Sequence, residues 1–160
     1  CLSELTSLSM ASNAKQVLID SNIWIAQFSP EDSLHNQVRH LLSQIGDQAL
    51  IFTTNLILYE CLTVLSMRVS RRRAILFGEW FFDRVTRGHI QLITIDTDLE
   101  TSTWQVFQQI SQKNVSFADC AAAVSAQHYG LDAIVTFDHD FRVFERKFGI
   151  PIIGLEARRP

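Results

Sequence analysis

Short unbroken apolar runs alternate along the chain with longer stretches in which apolar positions recur every three or four residues. Val17-Leu18-Ile19, ending on Asp20, reads as a buried strand, as do Leu50-Ile51-Phe52-Thr53, Ile90 to Ile95 and Ala133-Ile134-Val135-Thr136. Ile150 to Ile153 adds a fifth, short edge strand. Between these runs the spacing is helical. Leu34, Val38, Leu41, Leu42 and Ile45 share a face that stops at Gly46, and Asn55 can cap a helix reaching about Val69. Ala74, Phe77, Trp80, Phe81 and Val85 mark a helix over Arg71 to Thr86, stopped by Gly88. Leu99, Thr103, Phe107 and Ile110 form one stripe of another helix. Ser116 caps a small-residue helix from Phe117 to Tyr129, and a short helix runs from about Phe141 to Phe148.

Strands alternating with helices predict a three-layer α/β/α sandwich around a central parallel sheet. The unit spans residues 15–155, with residues 1–14 an N-terminal arm or a non-native extension and 156–160 a C-terminal tail. In such sheets the functional crevice lies beyond the carboxyl ends of the strands. That rule turns scattered acids into a place: Asp20 ends the first strand, Asp96 follows the third, and Asp138 and Asp140 follow the fourth. Glu60 falls among Leu56, Ile57, Cys61 and Val64, so it is read as a buried acid that needs a cation, a proton or hydrogen-bond donors. Asp119 opens a helix otherwise written in alanines, where it either favours the helix dipole or serves a site. Asp20, Asp119, Asp138 and Asp140 each have an ordinary explanation as a cap, helix-end or turn residue. Their conjunction, without a lysine close by in sequence, calls for positive charge among them. Hard oxygen ligands suit Mg²⁺ or Mn²⁺, and such ions serve phosphoryl transfer.

Four segments carry a resemblance. Val17-Leu18-Ile19-Asp20-Ser21-Asn22, Leu58-Tyr59-Glu60, Ser116-Phe117-Ala118-Asp119 and Ile134 to Phe141 resemble, in order and spacing, the PIN-domain nucleases, especially VapC-type toxins. The resemblance implies Mg²⁺- or Mn²⁺-dependent endoribonuclease activity, with RNA as substrate. By it Asp20, Glu60, Asp119 and Asp138 match the acidic catalytic and metal-holding quartet, Asp140 assists or merely caps, and Asn22, Thr136 and Ser116 orient the acids. It also implies a homodimer and an antitoxin protein as partner. The chemistry expected is in-line attack of water on phosphorus, the carboxylates setting metal geometry and accepting a proton. Nothing in the chain offers a GxSxG elbow, a Walker loop or an HExxH helix. His139 reads as a bystander of the turn.

Composition adjusts this picture at a few points. The chain has 160 residues, 14 Lys+Arg against 17 Asp+Glu and a net charge of -3, which excludes a protein that coats nucleic acid by bulk positive charge. Setting aside Asp20, Glu60, Asp119, Asp138 and Asp140 leaves 12 against 14, so one phosphate-cutting crevice remains compatible with the balance. Arg142, Arg146 and Lys147 follow the fourth acid closely and are the expected substrate contacts. Arg68, Arg71, Arg72, Arg73, Arg84 and Arg87 form a second basic concentration, open to three readings: a solvated face, RNA contacts or an acidic partner peptide. Trp80, Phe81 and Phe82 cannot all face one core, so at least one is expected at the surface, and with Trp24 and Phe28 they are expected to line a dimer or partner-peptide groove. Cys61 and Cys120 read as small buried hydrophobes, and three cysteines without paired spacing suit a reducing, cytoplasmic compartment. The apolar stretch from Ala49 to Met67 is broken by polar residues and falls short of the ~18 uninterrupted residues a membrane span requires. Two other folds place acids at strand ends. A haloacid-dehalogenase-like phosphatase would want an aspartate at position 22, where Asn22 stands, and a later lysine. A receiver domain would want a lysine near Gly149-Ile150-Pro151.

Overall fold

A computed structural model describes residues 16–46 and 49–155. The expected arm and tail lie outside the described residues. Five parallel strands, β1 (Gln16–Ile19), β2 (Leu50–Thr54), β3 (Ile90–Ile93), β4 (Ala133–Val135) and β5 (Ile152–Ile153), lie in the order β3-β2-β1-β4-β5. Seven α-helices among the described residues cover the sheet: α1 (Ser21–Phe28), α2 (His35–Ile45), α3 (Asn55–Val64), α4 (Arg71–Thr86), α5 (Thr97–Gln109), α6 (Phe117–His128) and α7 (Arg142–Phe148). This is the three-layer parallel architecture expected from the alternation of apolar runs. No helix among the described residues is long and apolar enough to cross a membrane.

The central strand shows why the runs are unbroken. β1 pairs with β2 on one side (Val17 with Ile51) and β4 on the other (Val17 with Ala133), and helices cover both of its faces. Val17, Leu18 and Ile19 therefore have no solvent-facing position at all. β5 is an edge strand, as its brevity suggested.

Two local expectations change. The region after Asp20 holds a full helix, α1, whose Ile23, Trp24 and Ala26 are buried. Its apolar residues bury it on most sides, so no amphipathic stripe announces it. Asn55 does not cap α3. Thr54 does, its hydroxyl accepting from the Ile57 amide at 3.2 Å, while Asn55 Oδ1 accepts from the Ile95 amide at 3.0 Å and ties α3 to the end of β3. The helix expected to reach Val69 keeps α geometry to Val64 and widens into a π turn over Leu65–Val69. Ser70 then caps α4 and Asp96 caps α5. Cys61 and Cys120 are buried free thiols.

Trp80, Phe81 and Phe82 divide as helix geometry requires: Phe81 is buried, Trp80 partly buried and Phe82 half exposed. Trp24 and Phe28 are not surface residues of an open groove. They pack against Trp80 in tilted pairs, with ring centroids 5.5 and 5.2 Å away. Trp24 and Trp80 do form part of the wall of a cavity of about 630 Å³ at the amino ends of β2 and β3, together with Leu42, Ile45 and Arg84. That is the end of the sheet opposite the acids.

Candidate active site

Asp20 sits where β1 gives way to α1, almost wholly buried at 3% exposure. Such a carboxyl needs donors, and the chain supplies three. Its Oδ1 accepts from the Ser21 amide at 2.7 Å, and its Oδ2 accepts from Asn22 Nδ2 and Thr136 Oγ1, each at 2.8 Å. Thr136, directly after β4, is the junction of this network. Its hydroxyl donates to Asp20 and accepts from Asn22 Nδ2 at 2.7 Å and from the Asp138 amide at 3.0 Å. Asn22 returns its own carbonyl to the Phe137 amide at 3.3 Å. The turns after β1 and β4 are thereby locked together by side chains more than 110 residues apart in sequence.

The other acids enter from three further segments. Asp119 stands in the first turn of α6 and forms a capping box with Ser116: the Ser116 amide donates to Asp119 Oδ2 at 2.7 Å and the Asp119 amide to Ser116 Oγ at 3.1 Å. The capping role and nearness to the crevice hold for Asp119 together. Asp138 follows Thr136 and accepts from the Asp140 amide at 2.8 Å, fixing the 3₁₀ turn His139–Phe141. Asp140 thus serves the turn through its backbone, and His139 is exposed.

Glu60 departs from expectation. It is exposed, because Ile57, Leu58 and Cys61 form the buried stripe of α3 while Tyr59 and Glu60 turn away from it. It nevertheless stands near enough to act electrostatically on Asp20 and Asp119. It is an acid of the crevice mouth rather than of its floor.

The charges register on one another. Burial, then the Asp119 and Glu60 carboxylates, push Asp20 up to about 7 against the hydrogen bonds from Thr136 and Ser21. Burial also raises Asp119, with Asp138 and Glu60 adding to the rise and the Ser116 hydrogen bonds opposing it. Cys61, whose thiol lies 3.8 Å from the Ser21 carbonyl oxygen, is pushed well above its ordinary value by burial and by Asp20 and Glu60. It stays a neutral thiol beneath the site.

Oxygen-only, anionic donors short of positive charge fit a hard divalent cation such as Mg²⁺ or Mn²⁺. As the side chains stand, no three acids, histidines or cysteines among the described residues converge to hold an ion. The fit rests on donor chemistry and charge. Of the expected substrate contacts, Arg142 pairs with Glu145 at 2.7 Å on its own helix, and Arg146 is exposed. Arg68 and Arg73 share a cavity of about 590 Å³ with Glu31 and Asp32, a mixed-charge lining unlike a dedicated phosphate site.

Thr53 is a residue that sequence reasoning passed over. Its buried hydroxyl donates to the Ile19 carbonyl at 2.7 Å and accepts from Trp24 Nε1 at 3.1 Å, bracing the end of β1 one residue before Asp20. A threonine ending an apolar run was its one signal.

Several solved structures share this fold. The VapC20 toxin of Mycobacterium tuberculosis, described as cleaving the sarcin-ricin loop, is 21% identical, with a TM-score of 0.71 over 79% of this chain and 93% of its own. VapBC2 from Rickettsia felis, solved with a DNA fragment from its promoter, is 13% identical, with a TM-score of 0.63 over 86% and 96%. A toxin-antitoxin complex from Klebsiella pneumoniae is 17% identical, with a TM-score of 0.54 over 78% and 89%. At these identities the likeness speaks for fold. A search of curated protein sequences gives no match. The family model for the PIN domain matches residues 17–147, from the first residues of β1 into α7 and across all four acidic segments. The chain belongs to the PIN domain family.

Proposed function

We propose that this PIN-domain protein is a divalent-metal-dependent endoribonuclease and the toxin of a toxin-antitoxin pair, working in the cytoplasm. The observation that carries the reading is the mutual influence of acids from four segments, centred on a buried Asp20 raised to about 7. Asp20, Glu60, Asp119 and Asp138 would hold Mg²⁺ or Mn²⁺, which supplies polarisation of the phosphodiester and a lowered pKa for water. Thr136 and Asn22 hold the Asp20 carboxylate in one orientation. Ser116 fixes one oxygen of Asp119. Asp119 and Asp138 are the carboxylates available to take the proton from attacking water. Arg146 and Arg142 would meet the substrate strand beyond Asp138.

The antitoxin reading draws on the toxin-antitoxin neighbours, and the cavity walled in part by Trp24, Trp80, Leu42 and Ile45 is the site it would use. A homodimer belongs to the same reading. No observation favours the phosphatase, since Asn22 is committed to orienting Asp20.

The test is cleavage of labelled single-stranded RNA by the purified chain. Cleavage with Mg²⁺ or Mn²⁺ that stops with EDTA and with Asp20→Asn is the expected result. Cleavage that survives EDTA and the paired substitutions Asp20→Asn and Asp119→Asn overturns the metal-nuclease reading. Inert RNA with turnover of a small phosphoester reverses it in favour of a phosphatase, and no turnover of either leaves a PIN-fold interaction module.

A further inference from the structure

In a chain with 17 acids, the segment from Thr101 to Ala118 carries no acid and a single cation, Lys113. This stretch covers the second half of α5, the connecting loop and the first residues of α6. Leu99 and Thr103 bury the inner side of α5, which turns Trp104 and Phe107 outward. Trp104 is 52% exposed and Phe107 37%, large values for such side chains. The two rings stack with centroids 6.1 Å apart at 26°, and Phe107 meets the edge of Phe117 at 5.8 Å. Phe117 and Asp119 share the first turn of α6, so the aromatic cluster and the acid crevice meet at one helix end, with the two side chains turned to different sides of it. Around it stand exposed Gln105, Gln108, Gln109, Gln112 and Asn114. Lys147 donates to Gln109 Oε1 at 2.7 Å, bringing α7, with exposed Arg146, alongside.

We propose that Trp104 and Phe107 form a stacking platform for bases of single-stranded RNA whose backbone is cut at the acid crevice; the proposal rests on the nuclease reading. Aromatic faces accept any unpaired base, and side-chain amides hydrogen-bond base edges. Exposed Glu100 stands one turn before Trp104, but the stretch after it carries no acid, so on that side of the platform a polyanion meets Lys113, Lys147 and Arg146. A second copy of the chain fits this face less well. Closing it would strip water from five amide side chains, of which Gln109 already has a partner in Lys147 and the others would need new ones. Duplex RNA hides the base faces and gains nothing from the platform.

The experiment measures binding of a short, fluorescently labelled single-stranded RNA to the full chain in EDTA, with a duplex of the same length beside it. Trp104→Ala is expected to weaken single-strand binding about 5- to 150-fold, the range of one base–aromatic stack. Trp104→Phe keeps most of the affinity, Phe82→Ala, an exposed aromatic on α4, leaves it unchanged, and duplex binding does not respond. In cleavage with Mg²⁺, Trp104→Ala raises KM and leaves kcat nearly constant. Wild-type affinity in Trp104→Ala overturns the platform. So does conversion of a dimer to monomers by Trp104→Ala with RNA binding intact, which assigns the face to a second copy. The two readings fail separately: Trp104-dependent binding without cleavage refutes the nuclease alone, and cleavage with unchanged KM refutes the platform alone.

Discussion

Replacing Asp20 with asparagine is expected to stabilise the ion-free protein increasingly as pH rises, while removing its activity. The folded carboxyl titrates at about 7 against 3.8 for the unfolded group. Between those values the native chain keeps a proton that the unfolded chain has released, so wild-type stability falls as pH rises through the window and levels off above it. A gap of roughly three units, at about 1.4 kcal/mol each, makes ionised Asp20 cost about 4 kcal/mol above pH 7. About a third of that cost has already accrued at pH 5, leaving about 3 kcal/mol between pH 5 and pH 8. Asparagine has no such titration. It loses something at every pH, because all three of the donors on Asp20 cannot be accepted by an amide, an offset of about 1–3 kcal/mol. The informative quantity is therefore the difference between variant and wild type at two pH values. Urea or thermal denaturation in EDTA reads it, and the gap should move in the variant's favour by about 3 kcal/mol, or about 6–12 °C in Tm. A gap that stays constant between pH 5 and pH 8 would refute the claim that Asp20 is held against its charge.

Thr136→Val removes the hydroxyl that joins Asp20, Asn22 and the Asp138 amide. It is expected to reduce cleavage about 10–100-fold and stability by about 1–3 kcal/mol, whereas Thr136→Ser retains most of both in the same RNA and urea assays. Gly154 has a φ of +105°, and a Cβ there would lie 2.6 Å from the Thr136 carbonyl oxygen. Gly154→Ala should lower the urea midpoint by the equivalent of about 1–3 kcal/mol and, by shifting the backbone of residue 136, weaken cleavage as well.

The parallel sheet was legible because a strand buried on both faces must be written in unbroken apolar residues, as Val17-Leu18-Ile19 and Ala133-Ile134-Val135 are. Ser116 and Asp119 were legible as a local pair, since a capping box is encoded within four residues. Helix α1 was not, because Ile23, Trp24, Ile25 and Ala26 give no stripe and the start at Ser21-Asn22 reads equally as a turn. Glu60 was misjudged because neighbours in sequence were taken for neighbours in space. Which side of α3 is covered is decided by packing against α1, α4 and α6, and spacing within one helix does not contain that information. The hub role of Thr136 and the brace at Thr53 depend on partners in other strands, which local pattern cannot name.

The Thr136 junction also governs when the crevice can exist during synthesis. A chain still lacking residue 136 has β1, α3 and α6 sequence in full, yet Asp20 has lost its hydroxyl donor and Asp138 has not been made. The strand that must pair beside β1 arrives more than 110 residues after it, so the site is closed by one of the most non-local contacts in the fold. For a protein proposed to cut RNA, this ordering means that a nascent chain cannot assemble the acidic centre on the ribosome that is making it until nearly all of the domain has emerged.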